Sequence, residues 1–325
     1  MKKSNNKYVS LLPKNYQVDL DTQTITSNKD AKYYIFFSDI HGNAKTIALI
    51  KQAYSDYGDA QLVGGGDYID GRKDSKMVTE DLMKLATENN AVILKGNHEE
   101  MMLDFAQGGD PDRLWFYNGG KTTLRSFFGS KKINYRESQE QLRNSSFYDF
   151  YLSLPIMFET PNFIFVHGGV MPIKNYNDPN QYGKGWGVTG LSKYDEYRLW
   201  ARDEYFYHQS NLGVSVQEAT YFAHNKTGKT IVTGHTPTAL LHGVFDDGRI
   251  MEDTPFTDCC VRPVQYKGEP ARIFTDNGCH SRYPGHDGNV TVLNNKGEIL
   301  VVYDHDDPQG LDWNTYKKKY GKYQA

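Results

Sequence analysis

Leu62-Val63-Gly64-Gly65-Gly66-Asp67-Tyr68-Ile69-Asp70-Gly71-Arg72 decides how the rest of this chain is read. A short apolar run ends in glycines, two carboxylates follow, and an arginine closes the stretch. The pattern predicts a buried strand that delivers Asp67 to the end of a sheet. The glycines allow a sharp turn and the close approach of metal or phosphate. Gly-Asp pairs are common in turns, so Asp67 alone carries no function. Its meaning comes from four other short stretches built to meet it.

Upstream, Tyr33-Tyr34-Ile35-Phe36-Phe37 has strand length and ends at Ser38-Asp39-Ile40-His41-Gly42-Asn43. Ile47, Ile50 and Tyr54 recur near helical spacing and predict a helix over 44–57. Gln61 to Gly64 is the next strand, and Val78, Leu82 and Leu85 mark the next helix. Ala91-Val92-Ile93-Leu94 is a third strand, ending at Lys95-Gly96-Asn97-His98-Glu99. This strand–helix rhythm predicts a parallel sheet buried on both faces, with ligands at the carboxyl ends of the strands.

Residues 99–155 read as helical and connecting, including 112–128. A fourth strand, Phe163 to Val166, ends at His167-Gly168-Gly169, and a fifth, Thr230 to Thr233, ends at Gly234-His235-Thr236-Pro237. Between them, 170–228 reads as a long insertion on the active-site side, helical over 193–207. The remainder is β-rich, with a hairpin turn at Asn294-Asn295-Lys296-Gly297. Residues 1–30 read as a peripheral extension, 31–305 as the catalytic domain, and 306–325 as a tail carrying the solvated run Lys317-Lys318-Lys319.

At 325 residues, 38% hydrophobic and 24% charged, the chain can bury a sizeable core. A net charge of -3 gives no electrostatic reason to expect nucleic acid as partner. The basic start is followed by no apolar h-region and no run reaches transmembrane length, so a soluble cytoplasmic protein with no membrane contact is expected. Cys259, Cys260 and Cys279 supply no Cys-x-x-Cys zinc pair and read as free thiols. The 24 tyrosines are scattered and read as packing residues. Oligomeric state is left open.

The five strand ends offer Asp39, His41, Asp67, Asn97, His167 and His235. Carboxylate, imidazole and amide oxygen suit a pair of hard or borderline divalent ions. A lone histidine after a strand is more often a satisfied polar residue than a ligand. Five such clusters, each at a strand end, argue against coincidence. One carboxylate between two ions must bridge them, and Asp67, central in the chain order, is the natural candidate. Two ions roughly 3.5–4 Å apart clamp and activate a hydroxide for in-line attack on phosphorus.

These stretches resemble the ordered motifs of calcineurin-like metallophosphoesterases, and more narrowly the phosphoprotein phosphatase family in its small bacterial form. Trp115-Phe116-Tyr117-Asn118-Gly119-Gly120 with Thr123-Leu124, Leu199-Trp200-Ala201-Arg202-Asp203 and Asp276-Asn277-Gly278-Cys279 are similar to that bacterial group. The resemblance spans about residues 33–303. It implies an α/β fold, a four-layer α-β-β-α sandwich with active-site insertions. It also implies two divalent ions, manganese first, with iron, zinc, nickel or magnesium as alternatives. In the family pattern Asp39, His41 and Asp67 would hold one ion, and Asp67, Asn97, His167 and His235 the other. His98 would be the general acid, oriented by Asp70, and Asn97 would also meet the substrate phosphate. The implied substrate is a phosphoserine or phosphothreonine protein, or a phosphorylated small molecule. Symmetrical diadenosine tetraphosphate hydrolases share nearly the same motif set and give the alternative reading. A non-catalytic scaffold that keeps metal for structure is the third.

One departure stands out. The family pattern after the second aspartate is Asp-Arg-Gly, and its arginine grips the substrate phosphate, whereas here Asp70-Gly71-Arg72 stands in swapped order. The swap moves the arginine Cα by roughly 3.8 Å. Arg202, in the Trp-x-Arg stretch, resembles the family's second phosphate arginine, so both Arg72 and Arg202 are expected at the phosphate. Gly119-Gly120-Lys121-Thr122 fails the Walker A pattern because Trp115 stands where glycine is needed. Gly185-x-Gly187-x-x-Gly190 matches a dinucleotide fingerprint, but no strand precedes it, and it reads as a loop. His280, close to the Asp-x-Gly stretch, is placed to line the cleft.

Overall fold

The aromatic strand at 33–37 sets the layers of the molecule. In this computed structural model, residues 16–109, 113–129, 134–182, 193–208, 221–248, 250–251, 260–281 and 286–320 are described. The strands in chain order are β1 (Tyr16–Asp19), β2 (Thr24–Ser27), β3 (Tyr33–Phe37), β4 (Gln61–Gly64), β5 (Val92–Ile93), β6 (Met157–Glu159), β7 (Phe163–Val166), β8 (Thr230–Thr233), β9 (Gly243–Val244), β10 (Ile250–Met251), β11 (Arg262–Val264), β12 (Arg272–Phe274), β13 (Asn289–Asn294), β14 (Ile299–Asp304) and β15 (Leu311–Asp312). The helices are α1 (Ala44–Asp56), α2 (Ser75–Glu88), α3 (Asn97–Ala106), α4 (Leu114–Tyr117), α5 (Gly120–Phe128), α6 (Tyr135–Arg143), α7 (Ser146–Ser153), α8 (Lys193–Trp200), α9 (Asp203–Phe206) and α10 (Trp313–Tyr320).

Two sheets form. One has six strands in the order β15-β14-β13-β3-β4-β5, the other seven in the order β1-β2-β6-β7-β8-β12-β11. Strands β3, β4 and β5 run parallel, joined by α1 and α2 as the strand–helix rhythm requires. The fourth and fifth strands of the sequence reading, β7 and β8, pair in parallel in the other sheet. Antiparallel pairings at β3–β13 and β6–β7 make both sheets mixed.

Side chains alternate across each strand, so β3 serves two cores. Tyr34 and Phe36 point between the sheets and join a cluster with Val63, Val92, Phe163, Phe165 and Val232. Tyr34 lies 4.7 Å from Phe163 and 5.0 Å from Phe165 between ring centres, an aromatic seam across the two sheets. Ile35 and Phe37 point the other way, into a core built with α1, α2, α3 and α7. Ile164, Val166, Ile231 and Phe274 face a third core with Tyr197, Tyr205 and Phe206 of α8 and α9. Helix, sheet, sheet and helix layers follow: the α-β-β-α sandwich.

Several local readings differ from the sequence expectation. From Tyr16 onward the stretch read as a peripheral extension contributes β1 and β2, and β2 pairs with β6 and buries Ile25. The stretch read as a tail contributes β15 and α10, which buries Tyr316. The lysine run sits in the last turn of α10, where positive charge complements the helix dipole. The helical stretch at 112–128 is broken into α4 and α5 at Asn118–Gly119, and Asp112 lies outside the described residues. So do Cys259 and the Gly185–Gly190 loop. Cys260 and Cys279 are buried, and neither forms a disulfide among the described residues. Among the described residues no helix is long and apolar enough to cross a membrane.

Candidate active site

Each strand that was read as ending in a polar cluster does so on one rim of the sandwich. The chain leaves these strands through backbone conformations that L residues seldom adopt. Asp39, His41, Asp67, Asp70 and His235 have φ of 52°, 48°, 57°, 69° and 68°. Such left-handed residues cost of order 1–3 kcal/mol each and gather where function needs a side chain aimed unnaturally. Neighbouring backbone holds them in place: Asp39 N donates to Gly66 O at 2.9 Å, and His41 N donates to Asp67 O at 3.0 Å. Gly66, at φ +101°, has to be glycine, because a Cβ there would stand 2.6 Å from Gly96 Cα and 2.8 Å from His167 Nδ1.

The buried side chains converge on Asp67. His167 Nε2 is 3.3 Å from Asp67 Oδ2, and His41 Nε2 is 3.9 Å from it. Asp39 Oδ1 is 4.0 Å from His41 Nε2. Asn97 Oδ1 lies 2.9 Å from His167 Nε2. Among the groups whose donor atoms lie within 4.8 Å of one another, two contain a carboxylate: Asp39, His41 and Asp67, and then Asp67, His167 and His235. Asp67 belongs to both. All six sequence-read candidates are therefore brought together.

The donor set fits divalent ions. His235 Nε2 is buried and has no hydrogen-bond partner among the described residues, an orphan that only an added group would satisfy. The outer ring nitrogens are already fixed: His41 Nδ1 meets Ile69 O at 3.1 Å and His167 Nδ1 meets Gly65 O at 2.8 Å. This is how ligating imidazoles are oriented. Burial and His98 push His41 well below the usual imidazole range, and burial, Arg202 and His167 do the same to His235. Both then keep a neutral lone pair. Burial and Asp276 push the Asp39 carboxyl well up. Burial would raise Asp67 as well, yet the imidazoles of His167, His98 and His41 hold it well below the carboxylate range. A bridging position needs such a standing negative charge.

A family model described as calcineurin-like phosphoesterase matches residues 33–258. The chain belongs to that family. A solved cold-active protein tyrosine phosphatase aligns with a TM-score of 0.56 and 15% identity, over 91% of this chain and 81% of that one. A candidate diadenosine tetraphosphatase aligns at 0.44 and 19% identity, over 86% and 97% of the two chains. A protein serine/threonine phosphatase from Saccharomyces cerevisiae aligns at 0.43 and 14%, over 86% and 78%. At 15% identity the likeness to the first of these is one of fold. No protein of curated function matches the sequence. As a calcineurin-like phosphoesterase the chain is a phosphoester hydrolase, and it carries the residues for a dinuclear site of divalent ions.

Beside these residues of the phosphoesterase sits a carboxylate–imidazole pair. His98 Nδ1 is 2.7 Å from Asp70 Oδ2, and His98 Nε2 is 3.8 Å from Asp67 Oδ2. Burial disfavours a charged His98, but Asp67 and Asp70 outweigh it and lift the imidazole to about 9. Asp70 is itself caged: Trp115 Nε1 donates to its Oδ2 at 2.9 Å and Thr123 Oγ1 to its Oδ1 at 2.5 Å. Trp115 and Thr123 lie in a motif noticed in the sequence, but their role there was not legible.

Glu99 was also missed, although it follows His98 directly. Its buried carboxylate accepts from Gly96 N and Asp67 N through Oε2, at 2.9 and 2.8 Å, and from Tyr68 N through Oε1 at 2.8 Å. It ties the two loops that carry Asp67 and Asn97. Burial and Asp67 push it up to about 7, against the pull of those amides. Glu99→Ala would remove the acceptor of four buried amides, Ile69 N included at 3.4 Å. The expected loss of stability is about 3 kcal/mol or more, measured by urea unfolding; a loss within about 0.5 kcal/mol would contradict this reading.

The two arginines are placed differently. Arg202 Nη1 donates to Thr236 Oγ1 at 2.9 Å, next to His235. Arg72 turns to residues 279, 286 and 287: Nε donates to Cys279 O at 3.2 Å, Nη2 to His286 O at 2.7 Å, and Nη1 pairs with Asp287 at 2.9 Å. The insertion reaches the site through α8, whose Arg198 O accepts from Gly168 N at 2.7 Å.

Proposed function

We propose that this phosphoesterase hydrolyses phosphomonoesters, with phosphoserine and phosphothreonine in proteins as its substrate class. The Asp70–His98 pair beside Asp67 carries this reading. A serine or threonine alkoxide is a poor leaving group and needs a proton as the P–O bond breaks. A phosphate leaving group, as in dinucleoside polyphosphates, needs none. A caged carboxylate–imidazole dyad is thus best suited to an alkyl ester.

In this proposal Asp39, His41 and Asp67 would hold one divalent ion, and Asp67, Asn97, His167 and His235 the other, with Mn2+ as the metal. Bound there, the ions would polarise the phosphoryl group and lower the pKa of an attacking water. His98 delivers its Nε2 proton to the leaving oxygen. Asp70 keeps the Nδ1 proton and the ring orientation fixed. Asn97 contacts the phosphate from the start of α3, and Arg202 clamps it, its planar fork suited to two parallel charge-assisted bonds.

Because Arg72 is engaged with Cys279, His286 and Asp287, Arg202 is the dominant clamp in this account. Arg202→Ala should lower kcat/KM by roughly a hundredfold or more, and by at least about tenfold more than Arg72→Ala. Steady-state kinetics of the two variants decide this, and a larger loss for Arg72→Ala would overturn it. The substrate class itself is tested by side-by-side assay of a phosphoserine peptide, diadenosine tetraphosphate and an aryl phosphate. The peptide is expected to rank above the dinucleotide; the reverse order would reject the phosphoprotein reading.

A further inference from the structure

Gly71 leaves a gap at the edge of the site that the imidazole of His280 fills. At φ +72° Gly71 projects no side chain, and a Cβ built there would stand 3.2 Å from His280 Cδ2 and 3.3 Å from His41 Cβ. The His280 ring centre lies 4.7 Å from that of His41 and 5.3 Å from that of His98. A nitrogen of each of the three rings falls within 4.8 Å of the others, and His280 is the exposed member of the three. Its Nε2 meets Asn118 O at 3.2 Å, which sets the ring against the α4–α5 break. An exposed imidazole held between a candidate ligand and the candidate acid borders whatever enters on the acid's side.

We propose that His280 is a substrate-contacting residue that meets the esterified group beside His98, and that Arg72 positions it. The second half follows from where the arginine goes. Arg72 bonds the carbonyl of Cys279, the residue before His280, and it also bonds His286 O and pairs with Asp287. Cys279 adds an anchor, its buried thiol donating to Ile40 O at 3.3 Å. The swapped Asp70-Gly71-Arg72 order thus has a structural reason. Glycine at 71 admits the imidazole, and arginine at 72 holds the backbone beside it at Cys279. This rests on the phosphoester reading with His98 at the leaving oxygen.

The test uses the full chain and the variants His280→Ala, His280→Gln, Arg72→Ala and the His280→Ala/Arg72→Ala double. Metal content and steady-state kinetics are measured on p-nitrophenyl phosphate and on a phosphoserine peptide. His280→Ala is expected to keep its metal and lose about tenfold in kcat/KM, mainly through KM, with partial rescue by His280→Gln. Arg72→Ala should show the same pattern, and the double variant should be little worse than either single one. Wild-type kcat/KM in His280→Ala on p-nitrophenyl phosphate would overturn the proposal. So would loss of metal in that variant, or fully additive losses in the double. A wild type that turns over p-nitrophenyl phosphate but not the peptide would reject the phosphoprotein reading alone, and the aryl ester would still decide the role of His280.

Discussion

His98→Asn is expected to slow hydrolysis of a phosphoserine peptide by about 10²–10⁴-fold while costing an aryl phosphate far less. The difference follows from the leaving groups. A serine alkoxide must be protonated as it departs, whereas a nitrophenolate is stable as an anion. His98 is the only imidazole bonded to the caged carboxylate of Asp70 among the described residues, with Nδ1 and Oδ2 2.7 Å apart. Asparagine keeps a polar side chain at the position but has no proton to give. The experiment compares kcat on both esters for the wild type and the variant. Equal losses would assign His98 to metal positioning instead, since its Nε2 is 3.8 Å from Asp67 Oδ2.

Asp67→Asn should be the most damaging single change. Asp67 is the one residue shared by the two donor groups, and three imidazoles keep its carboxyl ionised. The amide would remove the charge proposed to lie between the two cations while nearly conserving shape. At least one ion should be lost or weakened, and turnover should fall by at least about a hundredfold, the upper end of what a mere outer-shell change costs. His98 N donates to Asp67 Oδ1 at 2.9 Å, an acceptor that the amide oxygen can replace, so the fold should survive. A folded Asp67→Asn protein with both ions fully bound would sink the bridging assignment.

The candidate site was legible in the sequence because its candidate ligands sit at strand ends, and strand ends are marked by local signals. An apolar run followed by Asp39, Asp67, Asn97, His167 or His235 can be read one segment at a time. The βαβ half was legible for the same reason, since β3-α1-β4-α2-β5 is built from neighbours in the chain. What could not be read was pairing between distant segments. Thr24–Ser27 is short and polar, and only its pairing with β6 and the burial of Ile25 make it part of a sheet. Likewise Leu311–Asp312 is a strand only because β14 lies beside it. Roles set by distant contacts were hidden as well. Glu99 looks like any helix-opening carboxylate until the amides of Asp67 and Tyr68 are seen to meet it. The swapped Arg72 was noticed, but its partners at Cys279, His286 and Asp287 lie over two hundred residues along the chain.

The most direct test of a dinuclear phosphoesterase is to count bound metal and follow turnover in one titration. The purified chain is stripped with a chelator, and Mn2+ is returned stepwise while metal per chain and phosphate release from a phosphoserine peptide are measured. The account predicts no turnover in the stripped protein and full activity at two ions per chain. Turnover that survives complete metal removal, or activity that saturates at a single ion, would contradict it.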